Sequence, residues 1–325
     1  MIRRFVGALA ITAALAVPAA AEELKVASWV PPAHVITSST LDPLHAALAA
    51  ANADIDIKVY PGGELGKGPL EQYVRVVQGV ADIAWGLPGY TSSQFPKTMV
   101  SELPGALPDG MTGYDMIANA YEKGLLDAEF PGTKALALWL SEPNIFIMKD
   151  RTVRTPDDIK GLKMRVSGSA AAAAVESLGA TPVQMPAGEI YNALQTGLID
   201  GVITGASAVG DFKLNEVANS YTIGAPLGRI SFYLVMNKAK YDGLNDAQKA
   251  AIDSIAGRKL SKSAEEGWNA RAASVLESLK ADSKNTVVEL SADEAAKFGE
   301  KTLPVTDKIV GELGAGDVLK AMHGE

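Results

Sequence analysis

The chain contains no cysteine, which excludes disulfides and thiol catalysis and fits an oxidising compartment where a stray thiol is a liability. Its three histidines, His34, His45 and His323, stand at no metal-ligand spacing, so no metal centre is expected. A G-x-S-x-G nucleophile elbow is missing too. Gly62–Gly68 (GGELGKG) has the look of a phosphate loop, but only three residues separate Gly62 from Gly66. Gly68 also follows Lys67 where a magnesium-binding Ser or Thr is required, so no nucleotide or other cofactor is expected. Basic charge is in deficit: 30 Lys and Arg stand against 38 Asp and Glu, a formal net charge of −8. Such a surface suits neither nucleic acid nor anionic lipid. Long apolar runs are scarce, and the one at Phe5–Val17 is too short to span a membrane comfortably. It follows Arg3 and Arg4 and precedes Ala19-Ala20-Ala21, the charged, apolar and cleavage regions of a secretory signal over residues 1–21. An exported, periplasmic protein is expected. Cleavage removes two arginines and no acid, leaving 28 basic against 38 acidic residues and a charge of −10.

What is present is best read outward from Gly161–Gly205. Leu162, Met164 and Val166 alternate with Lys163 and Arg165, the pattern of a half-buried strand. Ser167-Gly168-Ser169 can cap a helix over Ala170–Leu178 that Gly179 ends. A strand over Thr181–Gln184, a helix opened by Pro186 and closed by Gly197, and a third apolar run at Ile199–Ile203 complete a βαβαβ unit. Ligands of such sheets lie beyond the carboxyl ends of the strands, where Arg165 stands. Its guanidinium and the free N–H groups of the following helix could hold one carboxylate together. The alternative is a surface cation on an edge strand.

An internal resemblance points to two lobes. Tyr60-Pro61-Gly62-Gly63-Glu64 leads through an amphipathic stretch to Gly79-Val80-Ala81-Asp82-Ile83, and Met185-Pro186-Ala187-Gly188-Glu189 leads to Gly197-Leu198-Ile199-Asp200-Gly201. Two similar α/β lobes would place a ligand between them. Ordinary strand–helix–strand units would read the same way. Strands are expected at Leu24–Val30, Ile55–Tyr60, Ala135–Leu140, Ile145–Met148 and Ile230–Asn237, and a loop at Gly86–Pro96. Thr155-Pro156-Asp157-Asp158 reads as a helix cap, not as catalytic carboxylates. Asn245–Ala281 carries an apolar stripe through Ile252, Leu260, Trp268 and Leu279. As one helix it would exceed ~50 Å and brace both lobes, with Gly257 and Gly267 as possible kinks.

These residues resemble the DctP-type extracytoplasmic solute receptors of TRAP (tripartite ATP-independent periplasmic) transporters. The resemblance is carried by Tyr60-Pro61…Leu65-Gly66, Gln78-Gly79…Asp82-Ile83, Thr155-Pro156-Asp157-Asp158 and Gly161-Leu162-Lys163-Met164-Arg165-Val166. Leu178–Val183, Glu189–Thr196 and Asp200-Gly201 extend it through most of the mature chain. It implies an α/β, two-lobed periplasmic binding protein fold with hinge strands and a long helix bridging both lobes. Residues 22–142 with 230–269 are assigned to lobe 1, and 143–229 with 270–325 to lobe 2. It implies a monomeric receptor, not an enzyme, that closes on a small organic acid and delivers it to TRAP membrane permease subunits. The family's carboxylate-gripping arginine falls on Arg165.

The departures from the family's pattern bear on the ligand. Many members carry a second cation or strongly polar group at the position of Ile145, and sialic-acid binders an acid at that of Leu87. Ala187 replaces a frequent aromatic, Thr204 a common Asn, and Trp29 stands where others often have a small or polar residue. Each change removes polar readout or adds apolar wall. A monocarboxylate with an apolar or aromatic body is therefore expected, with Trp29, Trp85 and Tyr90 as candidate walls and His34 facing the cleft. Core packing is the other role open to these aromatics, and capping or surface exposure to His34. A C4-dicarboxylate or sugar-acid receptor, or a sensory binding protein, are the alternatives. An exported enzyme would need a base or nucleophile beside Arg165, where only Ser167 and Ser169 stand.

Overall fold

The computed structural model describes residues 21–325, so the signal segment lies outside the described residues except for Ala21. Among the described residues eleven strands run in chain order: β1 (Glu22–Ala27), β2 (Ile55–Tyr60), β3 (Ile83–Gly86), β4 (Thr133–Leu140), β5 (Asn144–Met148), β6 (Lys163–Val166), β7 (Thr181–Gln184), β8 (Gly201–Gly205), β9 (Ser220–Ile223), β10 (Ser231–Asn237) and β11 (Thr286–Glu289). They form two sheets, ordered β2-β1-β3-β10-β4 in lobe 1 and β11-β9-β5-β8-β6-β7 in lobe 2. In each sheet a parallel trio, β2-β1-β3 or β7-β6-β8, meets an antiparallel strand that arrives from the other lobe. Those arrivals, β4 to β5 and β9 to β10, are the expected hinge crossings.

The internal repeat is structural. Asp82 and Asp200 each precede the third strand of a trio and accept the backbone N–H of the first strand, Lys25 at 2.7 Å and Lys163 at 2.8 Å. Their own N–H groups return to the same residues, each at 2.9 Å. The recurring Gly-apolar-apolar-Asp is thus a clamp between two parallel strands, and Gly79 and Gly197 turn the chain into it in the left-handed region. Thr155 caps the turn that follows it, Asp158 accepting the N–H of Thr155 at 2.7 Å within a capping box.

The brace is shorter than expected. A helix over Asp246–Asp253 is separated from a longer one over Arg258–Ala281, because Gly257 takes φ +75° and ends the continuity. The longer helix spans about 36 Å at ~1.5 Å per residue. Gly267 does not break it: a Cβ there would lie 2.3 Å from the Ser39 Cβ, so this glycine permits close packing. The helix still bridges the lobes. Ser261 Oγ accepts the Leu138 N–H at 2.9 Å, and Glu265 accepts the Gly113 N–H at 2.8 Å, both partners lying in lobe 1. Further along, Arg271 pairs with Asp211 and Val275 and Leu279 join the lobe 2 core. The C-terminal segment departs from its assignment to lobe 2. The helix Ala292–Glu312 leaves Phe298 in the lobe 2 core. The last helix, Gly316–Met322, packs Val318, Ala321 and Met322 into the lobe 1 core with Tyr73, Phe95 and Met116. Those apolar side chains find their cover there, and Asn119 donates to the Met322 carbonyl at 3.1 Å.

The hinge carries a buried acid. Glu102 accepts from Ser231 N–H at 2.9 Å and Ser231 hydroxyl at 2.6 Å, at the start of β10. Burial raises its carboxyl from 4.5 to about 7, against the pull of both Ser231 bonds. Between those values the folded protein keeps a proton that the unfolded chain has lost, so this group makes stability fall as pH rises through that window. Glu102→Gln removes the titration while keeping an acceptor for Ser231. Urea unfolding is expected to show a smaller loss of stability from pH 5 to pH 8 in the variant than in the wild type.

Candidate ligand site

Arg165 sits on β6 between Val183 of β7 and Val202 of β8, an interior strand, which excludes the surface-cation reading. It is 1% exposed. Its Nε and Nη2 donate to the Met185 carbonyl at 3.0 and 2.8 Å, which fixes the plane of the fork. Burial lowers its pKa, and the Tyr90 hydroxyl beside it acts in the opposite sense. Among the described residues no carboxylate lies within ion-pair distance of it. A buried cation without a counter-ion costs several kcal/mol, a deficit that an anionic ligand removes.

Aromatic rings extend from this cation. Tyr90 lies edge-on to Trp29 at 6.4 Å between centroids. Trp29 stacks on Trp85 at 4.9 Å and on Phe212 at 6.1 Å. Trp85 is fixed by its β3 position and by donating to Ser28 Oγ at 3.2 Å, and Trp268 reaches in from the long helix. His34 closes the row, its ring 5.4 Å from Trp85 and 5.8 Å from Phe212. His34 Nδ1 accepts the Ile36 N–H at 3.1 Å, which places the proton of the neutral ring on Nε2. Burial, then the nearby Arg271 charge, lower its pKa to about 3, so the ring is neutral at physiological pH. Facing it is Asp211, at the end of the short helix that follows β8. Asp211 Oδ1 accepts from Arg271 Nε at 2.9 Å, and Oδ2 lies 3.7 Å from His34 Nε2. Burial raises the Asp211 pKa, opposed by Arg271 and by the Val35 N–H.

These side chains line a cavity of about 40 Å³ between the lobes. Arg165, Trp29, Trp85, Leu87, Tyr90, Ala187, Thr204 and His34 all line it. Ile145 does not. It is 2% exposed and packs with Ile190, Val202 and Val209 in the lobe 2 core, against which Trp29 and Phe212 rest. Thr204, its partner across the β5–β8 ladder, takes the lining position, so Ile145 supports the wall from behind. The helix after β6 also differs from expectation. Its Ser169 N–H donates to Ser92 Oγ at 3.2 Å across the lobe interface, and residues 167–169 do not line the cavity.

The cleft is shut. Ala187 N–H donates to the Tyr90 hydroxyl at 2.9 Å, and Gln184 Nε2 donates to the Gly89 carbonyl at 3.1 Å, each bond joining the two lobes. Ser207, Asp211, Phe212, Phe232 and Trp268 also line the cavity, and no sequence motif marks them as site residues. Trp268 was legible only as part of an apolar stripe. Asp211-Phe212 belongs to no motif; its signal is an acid–aromatic pair one short helix after a parallel strand's carboxyl end.

Residues 26–312 match the DctP family, bacterial extracellular solute-binding proteins of family 7. The C4-dicarboxylate-binding periplasmic protein DctP of Rhodobacter capsulatus is 30% identical over 98% of this chain and 97% of its own length. Among solved structures, a TRAP solute-binding protein of Rhodoferax ferrireducens with copurified benzoate superposes at a TM-score of 0.86, with 28% identity over 93% of this chain and 96% of that one. A marine-metagenome TRAP solute-binding protein specific for aromatic acids, with 3-hydroxybenzoate, gives 0.85 with 27% identity over 92% and 96%. These relatives are solute-binding proteins, not enzymes. No helix among the described residues is long and apolar enough to cross a membrane. With its two crossed lobes, shut cleft and buried arginine, the chain belongs to the DctP family of extracellular solute-binding proteins.

Proposed function

We propose that this protein is a TRAP receptor for a small aromatic monocarboxylate, which it captures by lobe closure and passes to a membrane permease driven by an ion gradient. One observation carries the reading: a buried guanidinium without a carboxylate partner opens onto a small cavity walled by indole and phenyl rings. A bidentate carboxylate on the Arg165 fork supplies the missing charge, and Lys would not reproduce that fork. The ring of the ligand then lies against Trp29, where aromatic contact adds about 0.5–1.5 kcal/mol beyond burial.

The similarity to a C4-dicarboxylate receptor favours a second reading, and the lining residues weigh against it. Arg165 is the one cationic side chain among the described lining residues, since His34 is neutral. A second ligand carboxylate would be buried against Asp211, a like charge, instead of a cation. The benzoate and 3-hydroxybenzoate held by the two structural relatives support an aromatic acid by analogy.

A thermal-shift panel tests the reading with the purified mature protein at one pH and salt. Benzoate and phenylacetate are expected to raise the melting temperature more than succinate, malate or glucuronate. Ligand at a hundredfold excess over its Kd adds about 2.7 kcal/mol of stability, a shift well above scatter. Larger shifts with succinate or the sugar acid would overturn it.

A further inference from the structure

Resting on the aromatic-acid reading, we infer that the His34–Asp211 pair is a hydroxyl-reading subsite, so that the ligand class is a hydroxylated aromatic carboxylate. Two atoms face each other across the cavity without bonding. Asp211 Oδ2 has no hydrogen-bond partner among the described residues, the Val35 N–H near the carboxylate falling outside bonding geometry, and its side chain is 2% exposed. His34 Nε2 carries the ring proton because Nδ1 is occupied by Ile36 N–H. Its side chain is 6% exposed, and Nε2 stands 3.7 Å from Asp211 Oδ2, beyond direct hydrogen-bond reach. Both residues line the ligand cavity.

A donor and an acceptor at that separation define the group that completes them. An oxygen about 2.8 Å from each atom accepts from Nε2–H and donates its own proton to Oδ2, with ordinary lengths on both sides. A hydroxyl does both. A methyl does neither, and a methoxy accepts but leaves the carboxylate oxygen buried and unpaired. Phe212 and Trp29 form a wall of ring contacts running from this pair to Tyr90, which neighbours Arg165. An aromatic ring lying along that wall would present its carboxylate to Arg165 and its hydroxyl to His34 and Asp211. Arg271, pairing with Asp211 Oδ1 from the other side, keeps the carboxylate oriented with Oδ2 toward the cavity.

The test is calorimetry with benzoate and its hydroxy, methoxy and methyl derivatives at each ring position. One hydroxy isomer is expected to bind about tenfold or more tightly than the methyl and methoxy analogues at the same position, because rejecting an analogue that leaves buried polar groups unpaired is the strong mode of discrimination. In Asp211→Asn the amide oxygen faces Arg271 and places N–H groups toward the cavity. The hydroxyl-to-methyl affinity ratio should then fall to within about threefold of unity, and in His34→Phe it should also fall. Because the ratio is taken within each protein, a general loss of closure cancels. Should benzoate bind with no isomer gaining from its hydroxyl, the subsite is refuted while the aromatic-acid reading stands. Should Asp211→Asn and His34→Phe both keep the wild-type ratio, the assignment to these two residues is refuted. Failure of every aromatic acid to bind would refute both readings.

Discussion

Arg165→Ala is expected to abolish binding of aromatic acids while leaving the fold in place. Truncating one partner of a buried, hydrogen-bonded charge pair costs about 2–5 kcal/mol, or roughly 30-fold to several-thousand-fold in affinity. The fold should tolerate the change, because without ligand Arg165 is a desolvated cation with no carboxylate beside it, and removing an uncompensated buried charge offsets the loss of its bonds to Met185. Arg165→Lys should fail nearly as badly. A lysine brings a point charge where the site presents a planar fork already oriented by the Met185 carbonyl. Circular dichroism and calorimetry on both variants check this. Affinity within a few-fold of wild type for Arg165→Ala would remove the residue from the site.

The second large effect is expected from a single methyl group at the lobe interface. Gly168 has an extended backbone at φ −165°, which any residue adopts, so alanine brings no local strain. In the shut protein, however, its Cβ would lie 2.6 Å from the Gly89 Cα and 2.7 Å from the Gly89 carbonyl oxygen. These are backbone atoms of the opposite lobe and cannot rotate away. Gly168→Ala should therefore keep its unfolding midpoint without ligand and lose closure, lowering affinity by about tenfold to a hundredfold through a clash of order 1–3 kcal/mol. Small-angle scattering gives the independent readout. The wild type is expected to contract on saturation with ligand, and the variant to contract less. Wild-type affinity in the variant would show that the Gly89–Gly168 approach is not needed for binding.

Much of this architecture was readable because its signals are local. The Gly-apolar-apolar-Asp repeat marks a physical device, the Asp82 and Asp200 clamps, that recurs wherever a parallel trio is built. Thr155-Pro156-Asp157-Asp158 is a cap whose chemistry is complete within four residues. Arg165 was visible because strand alternation and the family resemblance fell on the same position. Other features depend on tertiary partners that no window contains. Gly257 and Gly267 look alike in sequence, yet one breaks the helix through a positive φ and the other admits Ser39 against it. The Gly316–Met322 helix follows a segment anchored in lobe 2, and only the exposed core of lobe 1 explains where it lands. Ile145 and Thr204 are paired across the same ladder, and which of them reaches the cavity is decided by packing beneath the sheet. The Asp211–His34 pair joins residues far apart in the chain through a fold that must exist first.

The most direct test of the account is a crystal structure of the protein grown with benzoate. Both carboxylate oxygens are expected at about 2.7–2.9 Å from the Arg165 guanidinium, the range of charge-assisted bonds, with the ring against Trp29 and the lobes shut across Gly89 and Gly168. A benzoate bound with its carboxylate away from Arg165, or held outside the cavity between the lobes, would contradict it.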